Sequence, residues 1–288
     1  MAVTYVGGAT SSATSSVTSR TLTIPTVQND DFALIVFGHG TANQPAPSGW
    51  TLGDSANVGS AYGEIFTRRL TAADSGSTVT LTLSTSQRMT ATLAVYRGVD
   101  SAAFAHTTDS GALSSHPLQT LAAGDGGAVG VSALFERSST PSTVFTQPAS
   151  YTMRQSSYGV GTGSCSSAFA DLLGTVVPDG SNVGTGATWT SDGANVAIGW
   201  TVALEPSTAT ALTGTLALVP NSGYAPLSVT ATATFTGGTG TPKEYNFVWG
   251  DGSSTGWQNS STANHIYTDP GLYTTSNGNP VYVDCRNS

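Results

Sequence analysis

The chain has 288 residues with 17 acidic and 9 basic side chains, a formal net charge of −8 and a length that suits one large or two ordinary domains. Only 9% of residues are charged, against about 25% in an average globular protein, and Lys243 is the sole lysine. This balance argues against binding a phosphate backbone, no run reaches the ~18–20 apolar residues of a membrane span, and a long amphipathic helix lacks its charges.

What remains is an all-β protein. Residues 21–24 alternate, and Phe32-Ala-Leu-Ile-Val-Phe37 is a continuous apolar run suited to a strand buried on both faces. Strands are predicted over 61–67, 78–83 and 91–96, with turn chemistry at Pro45-Ala-Pro-Ser-Gly49 and Ala72-Ala-Asp-Ser-Gly76 between them. Further strands are predicted over 128–135, 151–154, 166–171 and 194–204, and no helix longer than about two turns. The tract from Thr10 to Ser19 is Ser/Thr-rich and reads as a candidate assembly arm. Residues 206–213 are small and polar and read as a linker. Beyond it strands resume over 216–219, 227–235 and 245–249, at spacing that suits an Ig-like module. Two domains are expected, 1–205 and 214–288.

The N-terminus has neither the basic nor the apolar region of a signal peptide. Cys165 and Cys285 fall in different predicted domains, so free thiols and cytoplasmic synthesis are expected.

Four segments of the C-terminal part share one pattern: Gly223-Tyr-Ala-Pro-Leu-Ser-Val-Thr230, Tyr245-Asn-Phe-Val-Trp-Gly-Asp-Gly-Ser253, His265-Ile-Tyr267 and Pro270-Gly-Leu-Tyr-Thr274. Together they resemble a PKD domain, the Ig-like module first described in polycystic kidney disease protein. The motif residues are Trp249, Gly250, Asp251, Gly252, His265, Tyr267 and Tyr273. Two departures stand out: Trp249 directly precedes the Gly-Asp-Gly turn, and residues 275–280 interrupt the last strand, which resumes over 281–284. Gly250 and Gly252 suit a tight turn in which Asp251 bonds its own downstream amides. The resemblance implies a spacer or a unit that contacts protein or polysaccharide, with His265 in a structural hydrogen bond.

The N-terminal 205 residues carry Pro47-Ser-Gly-Trp-Thr-Leu52, Tyr96-Arg-Gly-Val-Asp100, Thr185-Gly-Ala-Thr188 and Ala197-Ile-Gly-Trp-Thr-Val-Ala-Leu-Glu205. These resemble the jelly-roll or concanavalin-like sandwich of minor tail and other virion proteins of phages infecting actinobacteria. The resemblance implies a particle-attachment domain.

Catalytic patterns are weak. His106, Asp109 and His116 have no metal-ligand spacing and read as polar loop residues, so no metal and no cofactor is expected. Gly161-Thr-Gly-Ser-Cys165 fails the nucleophile-elbow pattern. Glu64 and Glu136, two of the four glutamates, would suit a glycosidase pair, but Arg68 and Arg137 nearby predict strand-edge ion pairs instead. Trp50 and Trp200 read as core. Tyr151 enters as an aromatic candidate, and the binding candidates retained are Trp257, Tyr62, Tyr158 and Trp189, with Trp257 the most exposed.

The expected function is a non-enzymatic phage virion structural protein on the particle surface, tail-associated or a capsid decoration or fibre, contacting the host envelope through its C-terminal module. The expected partners are other virion proteins of capsid or tail, copies of the chain itself and a host cell-surface glycan, with no nucleic acid and no membrane insertion. The location implied is the virion, assembled in the host cytoplasm and released by lysis. The alternative is a carbohydrate-binding fragment of a secreted polysaccharide-degrading enzyme.

Overall fold

The computed structural model describes residues 2–12, 15–123, 128–138, 140, 142–174, 177, 181–207, 213–236, 244–271 and 281–286. The chain divides into two compact units, Met1–Thr208 and Ala209–Ser288. Both are built from antiparallel strands, and among the described residues the only helical element is a 3₁₀ turn.

The first unit runs through β1 (Thr4–Ser12), β2 (Val17–Thr23), β3 (Phe32–His39), β4 (Thr51–Val58) and β5 (Ala61–Arg69). The 3₁₀ turn, Ala72–Asp74, leads into β6 (Thr78–Gln87), β7 (Met89–Arg97) and the long β8 (Val99–Pro117). Then follow β9 (Leu121–Ala122), β10 (Val129–Ser138), β11 (Phe145–Thr146), β12 (Thr152–Ser157), β13 (Ser164–Asp171), β14 (Asn182–Val183) and β15 (Thr188–Pro206). One sheet has the order β1-β7-β3-β5-β4. The other has the order β11-β15-β10-β13-β12, with β8 also pairing along β15.

These sheets stack face to face. Leu34, Val36, Ile65, Ala94 and Tyr96 of the first meet Val131, Phe135, Phe169, Ile198 and Trp200 of the second in one buried cluster. The outer faces are covered as well. The β2–β6 ribbon lays Leu22, Ile24, Val79 and Leu81 over Ile35, Phe37, Phe66 and Leu93. On the other side Leu118, Phe145 and Tyr151 cover Leu134, Ala168, Ala170 and Trp189. This double covering is why β3, β7, β10 and β13 are buried along nearly their whole length, and why the run 32–37 is uninterrupted by polar residues. Polar links join the sheets near one edge: Ser167 Oγ lies 2.9 Å from Thr90 Oγ1 and 2.6 Å from Thr92 Oγ1, and Tyr96 donates its hydroxyl to Asp171 at 3.0 Å.

The candidate arm is partly strand: residues 10–12 belong to β1, paired with β7, and 17–19 to β2, paired with β6. Strand pairing in the first unit runs to Pro206, opposite Val99, and Ser207 N–H bonds Gly98 O.

The second unit comprises β16 (Thr213–Val219), β17 (Leu227–Thr236), β18 (Glu244–Val248), β19 (Thr262–Tyr267) and β20 (Tyr282–Arg286). The sheets are β16-β17-β19 and β18-β20. In β17 buried Val229, Ala231 and Ala233 alternate with exposed Thr230, Thr232 and Thr234, the period of a strand with one face on a core. That core is completed by Phe247, Trp249, Ala263 and Tyr267. Neither cysteine is in a disulfide.

Candidate binding site

Burial of a charge is costly unless it is paired, and the first unit buries His39, Glu64, His116 and Glu136. His39, the last residue of β3, places Nε2 2.9 Å from Glu64 Oε2 on β5, and both side chains are fully buried. Gln44 N–H donates to the other Glu64 oxygen at 2.9 Å. Thr41 N–H points at His39 Nδ1, so the Nε2 hydrogen is the one given to Glu64.

A second cluster surrounds Glu136 on β10. His116 Nε2 lies 2.9 Å from Glu136 Oε1, and its Nδ1 lies 3.1 Å from Asp109 Oδ2. Ser142 Oγ and Asn195 Nδ2 both donate to Glu136 Oε2, at 2.7 and 2.8 Å. Burial pushes the His116 imidazole down, but Glu136 and Asp109 together outweigh it and raise its pKa above the ordinary value. A carboxylate stands at each ring nitrogen, an arrangement that favours the protonated ring, which can donate from both sides. Its ring also walls a cavity of about 210 Å³ with Thr107, Leu113 and Gly199.

Both arrangements correct the sequence expectation. Glu64 and Glu136 pair with histidines, not with Arg68 and Arg137. Consecutive strand residues point to opposite faces, so Arg137 cannot meet Glu136, and Arg68 is about 13 Å along an extended strand from Glu64; it pairs instead with Asp74 at 2.7 Å. His106, Asp109 and His116 lie on β8 rather than in a loop, because β8 pairs along β15 to Pro117. His106 meets Asp54 at 2.8 Å. Phe135 packs on Gly38, one residue from His39 and one from Glu136, so the two clusters share an end of the stack. They occupy opposite outer faces, and their carboxylates cannot flank one bond. Ser142 gives its hydroxyl hydrogen to Glu136, and both His116 nitrogens are engaged, so no serine–histidine pair is formed. Among the described residues no group of three or more His, Cys, Asp or Glu could hold a metal ion.

The aromatic candidates separate. Trp189 is 0% exposed, a correction: on β15 its side chain faces the outer covering of the sheet and meets Phe145 edge-on at 6.4 Å. Tyr151 is buried in the same cluster. Tyr158 is half-buried, tilted against Phe145 at 5.0 Å, and its hydroxyl accepts Phe145 N–H. Tyr62 is half-buried and gives one face to the His39 ring at 6.3 Å. These residues therefore form no common platform. Trp257 is 42% exposed, in the second unit. No family model matches the chain, and neither a curated protein nor a solved structure matches it.

In the second unit the motif residues converge. Gly250 and Gly252 adopt φ of 79° and 92°, the left-handed region that glycine tolerates. Asp251 Oδ1 accepts Ser253 N–H at 3.0 Å and Ser253 Oγ–H at 2.6 Å, while Oδ2 meets His265 Nε2 at 2.6 Å. Burial would raise the Asp251 pKa, but these bonds overcome it and hold the carboxyl below its ordinary value. His265 stacks on the indole of Trp249 at 4.8 Å, and Tyr267 donates its hydroxyl to Trp249 O at 2.8 Å. Tyr273 lies outside the described residues.

Sequence reasoning passed over Tyr224 as a binding residue. It is 96% exposed, the most exposed large hydrophobic side chain among the described residues, and it lines a cavity of about 360 Å³ with Asn221, Ser222, Tyr267 and Asp269. The available signal was its setting, Gly223-Tyr224-Ala225-Pro226: an aromatic between turn residues has no strand to bury it.

Proposed function

We propose that the chain is a non-enzymatic structural protein of a phage particle, displayed on the particle surface as a tail-associated or capsid decoration component. In this reading the first unit is a jelly-roll-like attachment domain and the second a PKD-like module that faces the host envelope. The observation that carries it is the Trp249–Asp251–His265–Tyr267 cluster. It supports the PKD resemblance, because these four motif residues are linked to one another: a turn closed by Asp251, tied to His265, stacked on Trp249 and locked by Tyr267.

The first unit supports a mechanical role. His39 with Glu64 and His116 with Glu136 satisfy one another inside the sheets, which spends them on rigidity rather than on a reacting group. The scarcity of lysine fits repeated assembly, where long flexible side chains would cost entropy to immobilise. Copies of the chain and other capsid or tail proteins are the partners of this reading, with a host cell-surface glycan as its outward contact.

The second reading, a carbohydrate-binding fragment of a secreted polysaccharide-degrading enzyme, draws on the exposure of Trp257 and Tyr224. Immunogold electron microscopy with an antibody to residues 214–288 separates the two. Gold on heads or on tails of particles from a phage lysate is the expected result. Particles that carry the chain nowhere would overturn the virion reading in favour of the secreted one.

A further inference from the structure

We infer that the cavity lined by Asn221, Ser222, Tyr224, Tyr267 and Asp269 is a binding site for a neutral sugar of one or two rings. The inference rests on the proposed outward role of the second unit and gives that role a location.

Four observations carry it. The cavity, about 360 Å³, falls at the small end of the ~300–1,000 Å³ typical of ligand sites, too small for an extended peptide and large enough for a short saccharide. Its lining is mixed in the way a sugar requires. Leu218, Leu227 and Val229 supply an apolar wall, while Asn221, Ser222 and Asp269 bring hydrogen-bonding groups to one rim. A sugar ring has the same duality, with C–H groups on its faces and hydroxyls around its edge.

Tyr224 is the third observation. At 96% exposure its ring has given almost none of its surface to the protein, an arrangement that gains nothing for folding. Both faces of the ring are open to a ligand. The C–H groups of a pyranose carry partial positive charge and lie well against the negative face of an aromatic ring.

Charge selects among sugars. Among the described residues Asp269 is the only charged side chain lining the cavity, and the chain carries a net −8. A uronic acid or a phosphate-bearing glycan would meet like charge at the site and across the molecule. A neutral sugar, whose hydroxyls can donate to the Asp269 carboxylate, meets none. Trp257, although exposed, does not line this cavity and serves as the internal control.

The test is an amide-resolved NMR titration of the full ¹⁵N-labelled chain with the methyl glycosides of glucose, galactose, mannose and arabinose, and with glucuronate as the anionic counterpart. At least one neutral glycoside should move the amides of residues 221–225, 227, 269 and 271 at millimolar concentration, and glucuronate should not. Y224A should weaken that binding by about tenfold, a ratio worth about 1.4 kcal/mol, and D269N should weaken it too, while W257A leaves it unchanged. Because Tyr224 contributes almost no buried surface, Y224A should melt close to the wild-type temperature, which keeps the variant interpretable. The inference is overturned if no neutral glycoside moves these amides up to tens of millimolar, if glucuronate binds at least as well, if the shifts centre on Trp257, or if Y224A retains wild-type affinity. Failure here leaves particle labelling untouched, and absence of labelled particles leaves the amide shifts untouched, so the two readings fail separately.

Discussion

Gly63 lies beneath the indole of Trp200, so close that a Cβ on residue 63 would stand 2.6 Å from the ring atom Cη2. Gly63 is also the cross-strand partner of Gly38, and the ring of Phe135 covers Gly38 more closely still, leaving no room for a Cβ there. Two glycines opposite each other on β3 and β5 thus leave a hollow in one sheet that two large rings of the facing sheet fill. The hollow gives Phe135 and Trp200, both fully buried, room between the stacked sheets.

Alanine at either position should therefore destabilise the first unit by overpacking, by about 1–3 kcal/mol. Gly38→Ala should cost more than Gly63→Ala, because three atoms of the Phe135 ring stand within 2.6 Å of the new methyl, whereas at Gly63 only one atom of Trp200 does. Urea unfolding followed by tryptophan fluorescence gives the ranking. Equal midpoints for both variants and the wild type would show that the rings shift freely.

A pH dependence should come from His116. Its pKa is raised in the folded chain, so the imidazolium is bound more firmly there than in the unfolded chain. The resulting stability is fully present below the ordinary imidazole value of about 6.5 and is lost as the pH rises through the higher folded value. His116→Gln should consequently lower the urea midpoint relative to wild type more at pH about 5.5 than at pH about 8.5. An NMR titration of the ring should place His116 above an exposed histidine. A gap between wild type and variant that widens with rising pH would reverse the assignment of Asp109 and Glu136 as its partners.

What could be seen in the sequence follows from how far its causes reach. The run 32–37 announces a doubly covered strand because every residue answers to a local environment. The strand β8 does not: its residues 101–116 lack an apolar period, and its course is imposed by β15, some 90 residues later. β1, with two adjacent glycines and two serines, is likewise set by β7. The Gly250-Asp251-Gly252 turn was legible because the bonds that close it reach only two residues on, to Ser253. The His39–Glu64 and His116–Glu136 pairs were not, since their members stand 25 and 20 residues apart and each has an arginine nearer in sequence. Trp189 looked available for the same reason: what covers it is Phe145, on a segment with no local tie to it.

The turn closed by Asp251 gives a local prediction. Its carboxyl is held below the ordinary range, so the bonds to Ser253 and His265 stabilise the folded chain above that range and are lost as the pH falls through the depressed folded value. Asp251→Ala should cost about 1 kcal/mol, the size of a partly solvated hydrogen-bond set. Hydrogen exchange reads the effect where it arises: the Trp249 amide, bonded to Ser253 O across the turn, should lose protection in the variant at neutral pH and match wild type in acid. Unchanged protection at neutral pH would mean that the two glycines alone set the turn.

The two thiols should differ sharply in reactivity. Burial pushes the Cys165 thiol up to about 12, against the pull of Arg137 and Arg88, and its sulfur lies inside the face-to-face core within 3.3 Å of Arg88 O. The nucleophile is the thiolate, so at neutral pH Cys165 is both unionised and shielded. Cys285, half-buried on β20 opposite Tyr245, has no such enclosure. A disulfide-exchange reagent added to the native chain should therefore titrate one thiol quickly, and Cys285→Ser should remove that phase. The second thiol should appear only in denaturant, at the rate at which the first unit unfolds. Two equally fast thiols in the native chain would show that the stacked sheets open near Cys165 without global unfolding, and that the polar links from Thr90 and Thr92 to Ser167, two residues along β13, do not hold that edge shut.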